Sequence, residues 1–230
     1  RTGIVIVTAW LFAGVFGKAG RIRSGGFAGE TLGWLYRTHP EYFGTPQERR
    51  WPERLPVGAA MGQAAGNHSL HVHPREDWAQ EHLHDHGKSE CWYILDCPAD
   101  AQVILGHRAR TPEELDGYIA REDWEGLMIR RPIRPGDFFA VKAGELHSVQ
   151  AGTTFVSVSN PSPVTYRFYD WDRMGSDGRP RPVQIPQARE NILVPHQEIV
   201  FPPIVSRYGG VLETWLANNE DCSVWLYQVE

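Results

Sequence analysis

Ser69-Leu70-His71-Val72-His73-Pro74 is the stretch on which the fold turns. Five of the ten histidines fall between His68 and His84, and two of them are separated by a single valine. On a β-strand, residues i and i+2 point to the same face. Read as a strand, this segment therefore aims His71 and His73 the same way, so that two imidazoles reach one ion. Glu90 follows just before the apolar run Cys91-Trp92-Tyr93-Ile94-Leu95, where a neighbouring strand can supply a carboxylate oxygen. Further on, Arg134-Pro135-Gly136-Asp137-Phe138-Phe139-Ala140-Val141-Lys142-Ala143-Gly144-Glu145-Leu146-His147 reads as turn, strand, turn and a histidine that opens the next strand. His147 would be the fourth ligand. Three imidazoles and one carboxylate suit Zn, Mn, Fe, Co or Ni. His68, His82, His84 and His86 stand in a polar stretch and read as solvated loop residues.

Outward from this centre the texture is that of short apolar runs separated by Gly and Pro. Val103-Ile104-Leu105 and Thr154-Phe155-Val156-Ser157-Val158 are examples. Such spacing predicts an antiparallel sandwich or barrel. One interruption stands out: Thr111-Pro112-Glu113-Glu114 has the form of a capping box with Pro at the first helical position. Leu115, Ile119 and Trp124 follow at helical spacing, so 112–129 should be one or two short helices. Residues 30–66 mix helical and loop signals between Pro40, Pro46, Pro52 and Pro56. The Pro-, Arg- and Gly-rich stretch 172–189 reads as a surface loop, and 190–230 returns to short apolar runs.

The 230 residues suffice for one sizeable domain. A net charge of -5 argues against a large basic face for nucleic acid. Cys91, Cys97 and Cys222 form no CxxC pair and are odd in number, which argues against a disulfide framework and fits a reducing, cytoplasmic compartment. The apolar run Gly3–Gly17 is too short to span a bilayer, which takes about 20 residues. Its β-branched part, Ile4-Val5-Ile6-Val7-Thr8, reads as a buried strand, and its length also suits the apolar part of a signal peptide. A membrane-embedded role is not expected.

These same motifs, in this order, resemble those of the type I mannose-6-phosphate isomerases. The resemblance is carried by Ser69 to Pro74, by His86-Gly87-Lys88-Ser89-Glu90-Cys91-Trp92-Tyr93, by Pro135 to His147, and by Thr165-Tyr166-Arg167-Phe168-Tyr169-Asp170-Trp171-Asp172-Arg173. Gly29-Glu30-Thr31-Leu32 and Phe43-Gly44 fit the upstream pattern. It covers about residues 25–200. It implies an all-β, cupin-type jelly-roll barrel with a short helical insertion, one divalent metal (zinc first), and interconversion of mannose 6-phosphate and fructose 6-phosphate. The organisation that follows is residues 1–66 packed on the barrel, 67–189 as the metal-binding core and 190–230 as a C-terminal β segment. The resemblance places His73, Glu90 and His147 at ligand positions, Arg167 at the active-site arginine, and Lys88 and Ser69 beside the substrate.

Three departures accompany it. His71 stands where the family usually has Gln, giving a three-His, one-Glu ligand set. Ser157 stands where the family has an acidic residue, ten positions before the arginine. The family usually continues past the end of this chain, so a second small β-domain is expected to be shortened or missing. With Ser157 in the acid's place, Lys88 and Glu145 are the candidate bases. A small sugar phosphate is the expected partner, and a homodimer is open. Rival readings are a non-catalytic or regulatory sugar-binding cupin, favoured by Ser157, and another metal-dependent cupin enzyme, such as another sugar isomerase or an iron dioxygenase.

Overall fold

The computed structural model describes residues 7–12, 20–43, 54–197, 199–200, 202–218 and 223–229. Along the chain run β1 (Val7–Phe12), α1 (Leu32–Thr38), a 3-10 turn (Pro40–Tyr42), β2 (Gly58–Gln63), β3 (Leu70–Val72) and α2 (Glu76–Leu83). Next come β4 (Glu90–Asp96), β5 (Gln102–His107), α3 (Pro112–Ala120), α4 (Trp124–Leu127), β6 (Met128–Pro132) and β7 (Phe138–Val141). The chain continues with β8 (His147–Val149), β9 (Thr154–Ser159), β10 (Tyr166–Tyr169), α5 (Ile185–Asn191), β11 (Ile204–Tyr208), β12 (Val211–Asn218) and β13 (Ser223–Val229). Of the strand expected over Ile4–Thr8, Val7 and Thr8 belong to β1, and the remainder lies outside the described residues.

Two five-stranded antiparallel sheets form the body, with orders β1-β2-β9-β4-β7 and β10-β3-β8-β5-β6. This is the all-β, cupin-type sandwich; its hydrogen-bond ladders run as two sheets and do not close into one ring. A third sheet, β11-β12-β13, contains the apolar runs of the C-terminal segment and stacks Trp215 edge-on against Trp225.

The two-residue period divides the second sheet cleanly. Val103 and Leu105 of β5 and Val149 of β8 join Trp92, Ile94, Val141 and Phe155 from the first sheet in one buried cluster between the layers. Their alternates, Ile104, Leu70, Val72, Leu146 and Phe168, belong to a different cluster with Leu115, Leu127 and Ala188 from α3, α4 and α5. The helices thus cover the outer face of the second sheet. That face is apolar because the inner positions of the same strands carry His71, His147 and Arg167.

Local signals explain the elements. The Thr111 side chain accepts from the Glu114 N–H, so α3 is capped as the capping-box reading requires. In the β6–β7 turn, Pro135 and Gly136 (φ +95°) occupy the positions that demand a fixed φ and a positive φ. Two expectations need correction. The stretch 172–189 is loop only as far as residue 184, where α5 begins with Pro186 in its first turn. The polar run after His73 is not all loop: Glu76–Leu83 is helical, with Glu76 and Asp77 favourably placed near its N-terminus. His82 lies in its last turn, and His84 ends it in a left-handed conformation. Among the described residues no helix is long and apolar enough to cross a membrane.

Phe168 is 1% exposed and anchors the helical layer to the second sheet. Phe168→Ala should destabilise the protein by about 3–5 kcal/mol, read as a lower urea midpoint at unchanged slope.

Candidate metal centre

The site is built on one row of residues across the second sheet. Arg167 of β10 pairs in register with His71 of β3, His71 with His147 of β8, and His147 with Leu105 of β5. Because each of the first three sits one step from an outward-facing apolar residue, all three point between the sheets. His73 follows one residue beyond β3, where its carbonyl accepts from the Gly144 N–H at 2.9 Å. One ring nitrogen from each of His71, His73 and His147 lies within 4.8 Å of the others, and all three residues are buried.

Hydrogen bonding settles which nitrogens face inward. Nδ1 of His71 lies 2.6 Å from the Ser69 carbonyl, Nδ1 of His73 lies 2.9 Å from the Val164 carbonyl, and Nδ1 of His147 lies 2.7 Å from the Glu145 carbonyl. A carbonyl only accepts, so each Nδ1 carries the proton and donates it. Each Nε2 is then left with a lone pair. Nε2 of His73 and of His147 are buried and have no hydrogen-bond partner in the described structure. A buried imidazole acceptor without a donor is costly, and a shared cation removes that cost. The donor set therefore fits a metal ion, with the backbone carbonyls in the role of orienting partners.

Glu90 opens β4 in the facing sheet and lies 3.5 Å from Nε2 of His73 and 3.6 Å from Nε2 of His147. Its other contacts are Lys88 Nζ at 3.0 Å and a hydrogen bond donated by Trp92 Nε1 at 2.8 Å. Burial alone would raise the Glu90 pKa, but the Lys88 ammonium opposes it, and the carboxyl is held well below its ordinary range. Burial lowers the pKa of all three imidazoles, that of His147 to about 3. The cluster is thus held in the ligand form, neutral imidazoles beside an ionised carboxylate.

Lys88 is positioned by close packing. A Cβ on Gly87 would stand 2.6 Å from the backbone nitrogen of Glu76, so only glycine lets this loop lie against the start of α2. The Gly87 N–H donates to Glu76 and the Lys88 N–H to the Pro74 carbonyl.

A cavity of about 280 Å³ opens over the triad. Ser69, Lys88, Glu90, Ser157 and Arg167 line it, so the expected site residues share one space. Ser69 Oγ lies 3.2 Å from Nδ1 of His71. Burial, then the charge of neighbouring Arg181, lowers the pKa of Arg167. Two expectations fail here. Glu145 does not reach this cavity: it is buried on the far side, 3.3 Å from His196, among Leu193, Val194 and Pro195. Nor is His68 a solvated loop residue, since it lines the cavity beside Phe155. Sequence reading also missed Arg173 and Arg181, which enter from the loop after β10 and both pair with the buried Asp170. Arg173 ends the Thr165–Arg173 motif, but nothing in the spacing said that Arg181 folds back onto it.

These features define a class: a cupin-fold protein with a buried imidazole triad and a facing carboxylate. No protein-family model matches the chain. Among curated proteins it is 38% identical over 209 residues to the Bacillus subtilis protein called "Probable mannose-6-phosphate isomerase GmuF", covering 90% of this chain and 65% of that one. It is 36% identical over 196 residues to the mannose-6-phosphate isomerase ManA of the same organism, covering 85% and 60%. A crystal structure of a Bacillus subtilis mannose 6-phosphate isomerase superposes with a TM-score of 0.88 at 28% identity, covering all of this chain and 81% of that one. A zinc-bound mannose 6-phosphate isomerase shares the fold at a TM-score of 0.67 and 14% identity, covering 94% and 73%. The chain is thus similar to mannose-6-phosphate isomerases over 85–90% of its own length. It spans 65% and 60% of the length of the two curated relatives.

The buried histidines generate a pH dependence. Their folded pKa values lie below the ordinary 6.5, so the unfolded chain binds protons that the folded one refuses. The stability they contribute is complete above pH 6.5 and is lost progressively below it. Metal-stripped protein should therefore show a falling urea midpoint from pH 7.5 to pH 5, and His147→Gln should flatten that slope. An unchanged midpoint across this range would contradict the buried, neutral triad.

Proposed function

We propose that the protein is a metal-dependent aldose–ketose isomerase of a sugar phosphate, mannose 6-phosphate to fructose 6-phosphate, with His71, His73, Glu90 and His147 as metal ligands. The observation that carries this reading is one cavity lined by His71, His73 and Glu90 together with four cations, Lys88, Arg167, Arg173 and Arg181. A set of cations suits a phosphorylated substrate, and the likeness to proteins called mannose-6-phosphate isomerases supports this sugar. Three imidazoles and a carboxylate suit zinc, with manganese, iron, cobalt and nickel compatible; the structural relative of known metal content holds zinc.

When bound, the metal supplies Lewis-acid polarisation of the substrate carbonyl. The chain's own residues do the rest. Arg167, carried in register beside His71, offers a planar cation to the oxygen that becomes negative as the proton leaves carbon. Lys88 is tied to Glu90 at 3.0 Å and keeps that carboxylate ionised, while its remaining donors face the substrate. The Ser69 hydroxyl lines the same wall. Arg173 is occupied by Asp170 and by the Asn67 carbonyl, whereas among the described residues the Arg181 side chain makes a single polar contact, at 3.3 Å, with Asp170. Arg181 is therefore the freer arginine to meet the phosphate.

One feature favours a second reading, binding without turnover. Ser157 lines the cavity, and a hydroxyl is a poor base at neutral pH.

The test is a coupled assay of metal-loaded protein with mannose 6-phosphate. Turnover supports the isomerase, whereas saturable binding without turnover supports the binder. Protein purified without a His-tag should hold one metal ion per chain, and a His73→Ala, His147→Ala double variant should hold none. Arg167→Lys keeps the charge but loses the fork, and kcat should fall on the order of 10²-fold at unchanged thermal midpoint. Arg181→Gln should raise KM and leave kcat nearly unchanged.

A further inference from the structure

We propose that His68 is the base that carries the proton between C1 and C2 of the sugar, an inference that rests on the isomerase reading above. Its backbone is fixed at three points. The His68 N–H donates to the Val149 carbonyl at 2.8 Å, and its own carbonyl accepts from Ser148 Oγ at 2.7 Å and from Trp171 Nε1 at 2.6 Å. The side chain is left uncommitted. It lines the cavity edge-on to Phe155, with ring centres 5.9 Å apart. No hydrogen bond to either ring nitrogen occurs among the described residues, and Nε2 is buried without a partner. This separates His68 from the triad, where every Nδ1 is spent on a carbonyl.

The other cavity groups are poorer candidates. Glu90 is held by Lys88 and Trp92, and Lys88 by Glu90. Arginines do not give up their proton, and Ser157, Ser159 and Thr165 carry only hydroxyls. Phe155 and Ser157 share the inward face of β9 by the two-residue period. His68, beside Phe155, and Ser157 therefore line the same cavity. The charges acting on His68 are Glu90, Arg173 and Lys88. Burial, with the two cations, keeps the ring neutral and so able to accept a proton, despite the opposing pull of Glu90.

The step balances within the substrate and this one side chain. A ring nitrogen takes the hydrogen from C2; the C2–H electron pair becomes the C1=C2 bond, and the carbonyl pair moves to O1 beside Arg167. The imidazolium returns its proton to C1 as the O2–H proton passes to O1, giving the ketose and a neutral ring. Nothing is oxidised or reduced.

The experiment uses the metal-loaded protein in deuterium oxide, following by NMR the exchange of the C2 hydrogen of mannose 6-phosphate. His68→Gln should slow exchange and kcat together by on the order of 10²- to 10⁴-fold, with metal content and affinity for the unreactive mannitol 6-phosphate unchanged. The acid limb of the wild-type kcat/KM profile should vanish in this variant, and added imidazole should restore part of the activity of His68→Ala. In the wild type, the His68 ring resonance should move when mannitol 6-phosphate is added, a readout that needs no variant. Wild-type exchange rates in His68→Gln, or an unmoved ring resonance, overturn the inference alone. An effect confined to KM also overturns it, because His68 would then only position substrate. Wild-type protein that exchanges no C2 hydrogen overturns the isomerase reading and this inference with it.

Discussion

Three imidazoles buried between two sheets must be kept neutral and must point the same way. Backbone carbonyls do both. Ser69, Val164 and Glu145 each receive an Nδ1 proton, which fixes the tautomer and turns each ring so that Nε2 faces its neighbours. Two of these carbonyls lie two residues before the histidine they serve, so the orientation is local. The third comes from the segment leading into β10, which ties the site to the strand that carries Arg167. The result is a cluster of lone pairs whose desolvation is offset only by a shared cation.

The same alternation sets the architecture outside the site. Spending the inner positions of β3, β8 and β10 on polar groups leaves Leu70, Val72, Leu146 and Phe168 on the outer face. An apolar outer face needs cover, and α3, α4 and α5 provide it through Leu115, Leu127 and Ala188. The helical insertion is thus part of what allows the imidazoles to face inward.

Electrostatics in the cavity run in pairs. Lys88 balances Glu90, and Asp170, itself buried, gathers Arg173 and Arg181. Arg167 is the least compensated, its Nε buried without a hydrogen-bond partner in the described structure. An anionic ligand that reached it would meet a half-buried cation, where charge interactions are stronger than in open water.

Much of this was legible in the chain. His71-Val72-His73 announces a shared strand face because the β period is two, Thr111-Pro112-Glu113-Glu114 announces a capped helix, and the order of motifs announces the family. These signals are local or carried by short spacings. What only the tertiary structure decided was where distant groups meet. Glu145 sits two residues from His147, yet its side chain turns to the opposite side of the sheet to meet His196. Arg181 lies in a loop whose composition suggests solvent, yet Asp170 folds it back to the cavity. His68 belongs to a polar run, yet its backbone, bonded to Val149, Ser148 and Trp171, holds its ring edge-on to Phe155. Periodicity reports which face a side chain occupies. Whether that face meets water, a core or a cavity is decided by the strands and loops that pack against it, and their contacts span tens of residues with no sequence spacing to mark them.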